Sequence, residues 1–409
     1  MASRKVAATD EHLPEDIIVQ ILYRLPVKPL IRFRCVSKRW TSIISDPQFA
    51  KSQFKYASER KTLSHRLLLS TSSQLESLDL QTLSFEDDAS VRKLTFPFKE
   101  AGRAVKILGS CNGMVFAATG LHSLDNCFIW NPTTGLLLKL PNPSYRVGWC
   151  PGFPHCGFGY VSATDDYKVV VLDHFRNSTT PVDMYSSKAN SWKRIESEPH
   201  FSPEDYFPQP KGMFLNEALH WLDRGPGDKP TVIAFDLAKE KFREMPLPLL
   251  KQDDEAGVLY SELGVLSGGC LCVACYDDVL FGGFIHVWVM MDYDVRESWT
   301  ELVKVVDDQL RTPFVYWETS ILMLSEQTEE EENPEWNQEL VRFDHKEDKL
   351  DKVAVCSGRY SLEVGYVDMI KYDESLLWLH DYQGAQNPTQ AQKKKKKKNK
   401  NKNKNKNKK

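Results

Sequence analysis

Three groups of residues are of the types that metal and acid–base chemistry use. Cys270, Cys272 and Cys275 share the run CLCVAC. A C-x-C step inside an apolar run, without a second ligand pair at zinc spacing, fits core packing of a strand better than metal ligation. Cys150, His155 and Cys156 fall in WCPGFPHCGFGY, which also lacks a second pair and, being rich in Pro and Gly, reads as a surface loop. His220 stands beside Trp221 in an apolar run. It could serve as a general base, but no nucleophile signature or carboxylate pair accompanies it, so a hydrogen-bonded structural histidine is the better reading. No catalytic residue, metal ligand or cofactor is assigned.

Recognition chemistry is better represented. Residues 140–156 and 199–210 place Tyr145, Trp149, Phe153, Tyr206 and Phe207 among prolines. Rigid aromatics supply contact area at low entropy cost, so these five are candidate target-binding residues; they could equally cover a core from above. Such loops need a scaffold, and the composition permits one. The 409 residues are 41% hydrophobic, enough for one large domain and a small one.

The net charge of −3 conceals an acidic body. Twelve of the 53 Lys and Arg lie in the run 393–409, and without them 41 basic residues face 56 acidic ones, a balance of −15. Such a body does not neutralise phosphates, so no specific nucleic-acid binding is expected. The tail KKKKKKNKNKNKNKNKK is low complexity and cannot build a core; it is assigned no function. The acidic run 329–332 reads as a solvated loop. There is no apolar run of membrane-spanning length and no signal-peptide pattern, and the nine cysteines follow no disulfide framework. The expectation is an intracellular protein of the nucleus, the cytoplasm or both, with reduced thiols and no membrane.

The stretch 13–49 is helical. Pro14, Glu15 and Asp16 suit a helix start, and Ile17, Ile18, Ile21, Leu22 and Leu25 follow at helical spacing. Leu30, Phe33 and Val36 mark a second helix, Ser37 caps a third carrying Trp40, Ile43 and Ile44, and Asp46-Pro47 opens a fourth. So small a bundle carries more apolar surface than it can hide, which predicts that part of it faces a partner.

From residue 67 onward a different pattern repeats. An apolar strand meets a turn opened by Asp, Asn or Ser, and an apolar anchor then starts the return strand. The openers are Asp79, Asn131, Ser186, Asp236, Asp292 and Asp344, spaced 52, 55, 50, 56 and 52 residues apart. In five units the anchor follows six positions on, at Phe85, Leu137, Trp192, Phe242 and Leu350; the fifth unit reaches Trp299 with one residue more. Between these hairpins lies a second strand pair, with tight turns expected at Asn112-Gly113, Ser267-Gly268-Gly269 and Asp373-Glu374-Ser375. Two hairpins per period make four strands, the blade of a β-propeller. The expected fold is mainly β with a small α domain: a helical module followed by a six-bladed propeller, closed by pairing of its N- and C-terminal strands. Each end would supply one hairpin of the shared blade.

Leu13-Pro14, Leu25-Pro26-Val27, Leu30, the run RFRCVSKRW (32–40) and ISDP (44–47) closely resemble the F-box in its plant form. Gly109–Gly113 (GSCNG), Trp130–Thr134 (WNPTT), Gly157–Tyr160 (GFGY), Phe235-Asp236-Leu237 and Glu297-Ser298-Trp299 resemble the F-box-associated domain, related to the F-box/kelch-repeat group. Double glycines occur only at Gly268-Gly269 and Gly282-Gly283, so "kelch" is the weaker label. The resemblance implies a non-catalytic substrate receptor of an SCF-type ubiquitin ligase. Its F-box would bind a SKP-type adaptor, and through it a cullin–RING ligase, while its propeller recruits an unknown target protein. Leu13, Pro14, Ile21, Leu25, Pro26, Leu30, Val36 and Trp40 are the implied adaptor-binding or module-defining positions. The implied domains are a disordered N-terminus (1–12), the F-box (13–54), a linker (55–66), the propeller (67–385) and a disordered tail (386–409). Two alternatives stand beside this: an F-box scaffold acting outside a cullin ligase, and a propeller enzyme such as a glycosidase.

Overall fold

The computed structural model describes residues 13–70, 75–82, 91–96, 105–119, 126–142, 154–172, 182–195, 211–223, 230–248, 259–266, 268–277, 284–306, 312–317, 320–328, 335–347, 349–359 and 368–379. Four helices come first: α1 (Glu15–Tyr23), α2 (Val27–Phe33), α3 (Lys38–Ile44) and α4 (Pro47–Glu59). The caps form where the residue types place them. Ser37 Oγ accepts the Trp40 N–H at 3.1 Å, and Asp46 Oδ1 accepts those of Gln48 and Phe49 at 2.8 and 3.0 Å. The fourth helix continues five residues past the expected module boundary, so the connector to the first strand shrinks to residues 60–64.

Twenty-four strands follow among the described residues. They are β1 (His65–Ser70), β2 (Leu75–Asp79), β3 (Val91–Lys93), β4 (Val105–Cys111), β5 (Met114–Thr119), β6 (Cys127–Trp130), β7 (Leu137–Lys139) and β8 (His155–Val161). Next come β9 (Asp166–Leu172), β10 (Val182–Ser186), β11 (Ser191–Ile195), β12 (Lys211–Leu215), β13 (Ala218–Asp223), β14 (Thr231–Asp236), β15 (Lys241–Met245) and β16 (Leu259–Val265). The last are β17 (Leu271–Asp277), β18 (Phe284–Met290), β19 (Trp299–Val306), β20 (Thr312–Trp317), β21 (Ser320–Thr328), β22 (Glu335–Asp344), β23 (Lys349–Arg359) and β24 (Asp368–Asp373).

These strands form a β-propeller domain built from antiparallel groups of four: β24-β1-β2-β3, β4 to β7, β8 to β11, β12 to β15, β16 to β19 and β20 to β23. A short parallel contact, Lys211 opposite Cys156, joins the third group to the fourth. Successive groups stack face to face, and the core lies between them. Along β5, Val115 and Ala117 pack toward the first group, while Met114, Phe116 and Ala118 pack toward the third. Both faces of such a strand are covered, which is why its sequence is apolar throughout rather than alternating.

The turn chemistry follows the repeat. Side-chain oxygens of Asp79, Asn131, Ser186, Asp236 and Asp344 accept backbone N–H groups two or three residues on. At Asp292 the backbone carbonyl takes that part, receiving the Val295 N–H. The residue before the opener pairs with the anchor in four units, Trp130 with Leu137, Tyr185 with Trp192, Phe235 with Phe242 and Phe343 with Leu350, whereas in the longer fifth unit it is Met290, two residues before Asp292, that pairs with Trp299. Phe85, the first anchor, lies outside the described residues.

The shared group departs from expectation. The N-terminal side contributes three strands and the C-terminal side one, β24, which pairs with β1 from His65 opposite Asp373 to Ser70 opposite Asp368. Asp373-Glu374-Ser375 is therefore no hairpin turn. Residues 374–379 form no strand, because their side chains and carbonyls are taken by other parts of the molecule.

Candidate functional site

The first helix is two-faced. Ile18 and Leu22 point into a core shared with Val27, Leu30, Ile44, Phe49 and Ala50. Leu13, Ile17 and Ile21, each four residues from the next, stay 57%, 45% and 44% exposed, and Val36 after α2 is 59% exposed. Pro14 and Pro26 are exposed as well, while Leu25 and Trp40 are half-buried, Trp40 meeting Phe33 edge-on at 5.4 Å. Leu30 is fully buried, so its place is in the module's core and not on an outward face. Ile17 was missing from the expected docking set. The i, i+4 spacing of Leu13, Ile17 and Ile21 marks one face of a helix and was the signal for it.

The helices that carry this face are rich in basic residues. Between residues 13 and 45 there are six basic side chains, Arg24, Lys28, Arg32, Arg34, Lys38 and Arg39, against Glu15 and Asp16. Arg39 and Glu15 pair across α3 and α1 at 3.1 Å. The module is thus cationic on an otherwise acidic body.

The module is seated on the propeller through α4. Tyr23 stacks on Phe49 at 4.9 Å, and the Gln53 amide donates to the Leu25 carbonyl at 3.2 Å. From the opposite face of α4, Lys51 Nζ reaches Asp165 at 2.5 Å in the turn between β8 and β9. A cavity of about 440 Å³ opens there, lined by Phe54, Tyr160, Tyr167, Lys188, Trp378 and their neighbours. Burial alone would raise the Asp165 carboxyl, but Lys51 and the Tyr160 hydroxyl outweigh it and hold it below the usual range. Tyr160 donates to Asp165 at 2.7 Å, Asn112 to the Tyr167 hydroxyl at 3.3 Å, and Lys188 to the Thr164 carbonyl at 3.0 Å. These lining groups satisfy one another.

The residues with catalytic or metal-binding chemistry are held in cores. His220 is fully buried, with Nδ1 2.9 Å from the Met213 carbonyl and Nε2 2.7 Å from the Tyr293 hydroxyl. Burial lowers its pKa to about 4. A neutral ring that donates from Nδ1 and accepts at Nε2 satisfies both contacts. Cys272 and Cys275 are fully buried in β17. His155 and Cys156 correct the surface-loop reading: both are buried in β8. Burial pushes the Cys156 thiol up to about 12, that of an inert packing residue. The glycines beside it explain the depth. A Cβ at Gly157 would stand 2.8 Å from Leu219, and one at Gly159 would collide with Phe214 and Leu237, so the bare backbone of β8 lets the next group pack against it. Cys150 and the aromatics Tyr145, Trp149, Phe153, Tyr206 and Phe207 lie outside the described residues, as do Ser267, Gly282-Gly283 and the run 329–332.

Comparison with known proteins adds family information to this geometry. Residues 11–52 match the F-box domain family, and residues 65–377 match the F-box associated beta propeller domain family. F-box protein CPR1 of Arabidopsis thaliana is 31% identical over 378 residues, which covers 86% of this chain and 87% of that protein. An Arabidopsis F-box/kelch-repeat protein is 28% identical over 301 residues, covering 72% and 79%. A further Arabidopsis F-box protein is 27% identical over 350 residues, covering 76% and 78%.

Proposed function

The chain belongs to the plant F-box proteins that carry an F-box-associated β-propeller domain, and on that premise we propose that it is the target-binding subunit of an SCF-type ubiquitin ligase. The F-box docks on a SKP-type adaptor, and the propeller holds a target protein so that one of its lysines comes near the ubiquitin-charged enzyme supplied by other subunits. The rate gain is proximity, with no chemistry on this chain. One observation carries the reading: Leu13, Ile17, Ile21 and Val36 stay exposed on a helical module whose core is already filled by Ile18, Leu22, Leu30 and Ile44. The groups of four strands are taken as six blades closed into one ring, a reading supported by the β24–β1 pairing.

Buried free thiols at Cys111, Cys156 and Cys272 favour a reducing compartment, the nucleus, the cytoplasm or both. A pull-down comparing the native chain with Leu13→Ala/Pro14→Ala and with Ile21→Asp tests the docking. Equal recovery of the adaptor by all three would overturn it. Co-purification of the cullin, together with a longer target half-life when the chain is depleted, distinguishes a ligase receptor from a scaffold that holds the adaptor alone.

A further inference from the structure

The six residues after β24 take no part in a sheet, yet all except Trp378 are buried. Each makes a contact that ties one part of the molecule to another. Glu374 is 3% exposed; its carboxylate lies 2.5 Å from Arg92 on β3 and 3.9 Å from Arg66 on β1, and its N–H donates to the Ser64 carbonyl in the connector at 2.9 Å. Ser375 donates its hydroxyl to the Asn112 carbonyl at 3.0 Å. Leu376 and Leu377 leave the propeller and enter the core of the F-box beside Leu22, Leu30 and Phe49. Leu379 returns to the core between the second and third groups, with Phe116 and Tyr185.

One buried side chain holds the middle of this segment. Asn131 Nδ2 donates to the carbonyls of Ser375 at 3.1 Å and Leu377 at 2.9 Å, while its Oδ1 accepts the N–H groups of Thr133 and Thr134. Two carbonyls on one side and two N–H groups on the other fix the amide's orientation. The Asn of the WNPTT run thus makes a turn and binds the segment with the same amide.

We infer that residues 374–379 are a strap that locks the F-box to the propeller, and that Asn131 is its positioning residue. The inference deepens the receptor reading and rests on it for its consequence: the offset between adaptor and target is set by the C-terminal end of the propeller, and not by the connector 60–64 alone. The lock itself can be tested in the free chain. Asn131→Asp keeps the acceptor that Thr133 and Thr134 need but replaces the donor with an oxygen facing two carbonyls.

Small-angle X-ray scattering of the full chain, held well below its melting temperature, reads the result. The expected outcome is a maximum dimension increased by up to ~17 Å, the reach of the extended five-residue connector, while the propeller keeps its cooperative melting transition and adaptor recovery stays unchanged. An Asn131→Asp chain that melts as a folded protein and scatters as the native one does would overturn the strap. Should that variant not fold, Leu376→Ser/Leu377→Ser is read by the same measurements. Loss of the propeller transition in both variants would also overturn it, since the segment would then belong to the propeller core. Failure of the native chain to recover the adaptor refutes the receptor reading and leaves the scattering result intact.

Discussion

Replacing Ile17 and Ile21 together by Ala tests whether the exposed stripe of α1 is a docking face. Each truncation removes three carbons, worth ~0.8 kcal/mol apiece if fully transferred from water. The two side chains are 45% and 44% exposed in the free chain, so a partner can bury only about half of each. The loss is then ~1 kcal/mol per residue and ~2 kcal/mol for the pair, a weakening of affinity of about 30-fold. Titration calorimetry with a recombinant SKP-type adaptor measures it, and circular dichroism melts of the same samples show whether the helices survive. Leu30→Ala is the opposite control. Leu30 is fully buried, so its truncation should remove ~2–5 kcal/mol of folding stability by leaving a cavity. An Ile17→Ala/Ile21→Ala chain that binds the adaptor within twofold of the native affinity would refute the docking face. So would an affinity loss that merely tracks loss of helix.

Three further outcomes follow from buried groups. His220 titrates near 4 when folded, against an ordinary value of 6.5, so the unfolded chain takes up this proton first. Its contribution is complete above pH 6.5 and is lost as pH falls toward 4, by about 3 kcal/mol; urea unfolding at pH 7, 5 and 4 should show that slope in the native chain and a shallower one in His220→Gln. Glu262 is buried, with Oε2 unbonded among the described residues and its pKa pushed well above the usual range by burial. Folding then favours the protonated acid, stability falls as pH rises past the ordinary carboxyl range, and Glu262→Gln should raise the melting temperature at pH 8 more than at pH 4. Gly113 has a φ of +77°, and a Cβ there would stand 2.5 Å from the Asp373 carbonyl oxygen; Gly113→Ala should cost ~1–3 kcal/mol in chemical denaturation.

Much of the fold is legible in the chain. The period of roughly fifty residues marked by Asp79, Asn131, Ser186, Asp236 and, two periods on, Asp344 is visible because each of these openers bonds its own turn, a local interaction that needs only the right residue type at the right place. Ser37 and Asp46 mark their helices for the same reason. Leu30 and Ile21 cannot be told apart that way: both are apolar and helical, and only the packing of the four helices around one core buries Leu30 of α2 and leaves Ile21 of α1 exposed. His155 and Cys156 look like loop residues among Pro and Gly, but the glycines at 157 and 159 admit a neighbouring group and turn the run into an inner strand.

Sequence by itself determined the helical module, the repeated four-strand unit and the joining of the two ends of the propeller. Tertiary structure alone decided that the shared group takes three strands from one end and one from the other, and that the freed segment 374–379 crosses into the F-box core. The physical reason is range. A cap or a turn is settled within four residues, whereas the bonds from Asn131 to the carbonyls of Ser375 and Leu377 join residues more than 240 positions apart, which no local pattern records.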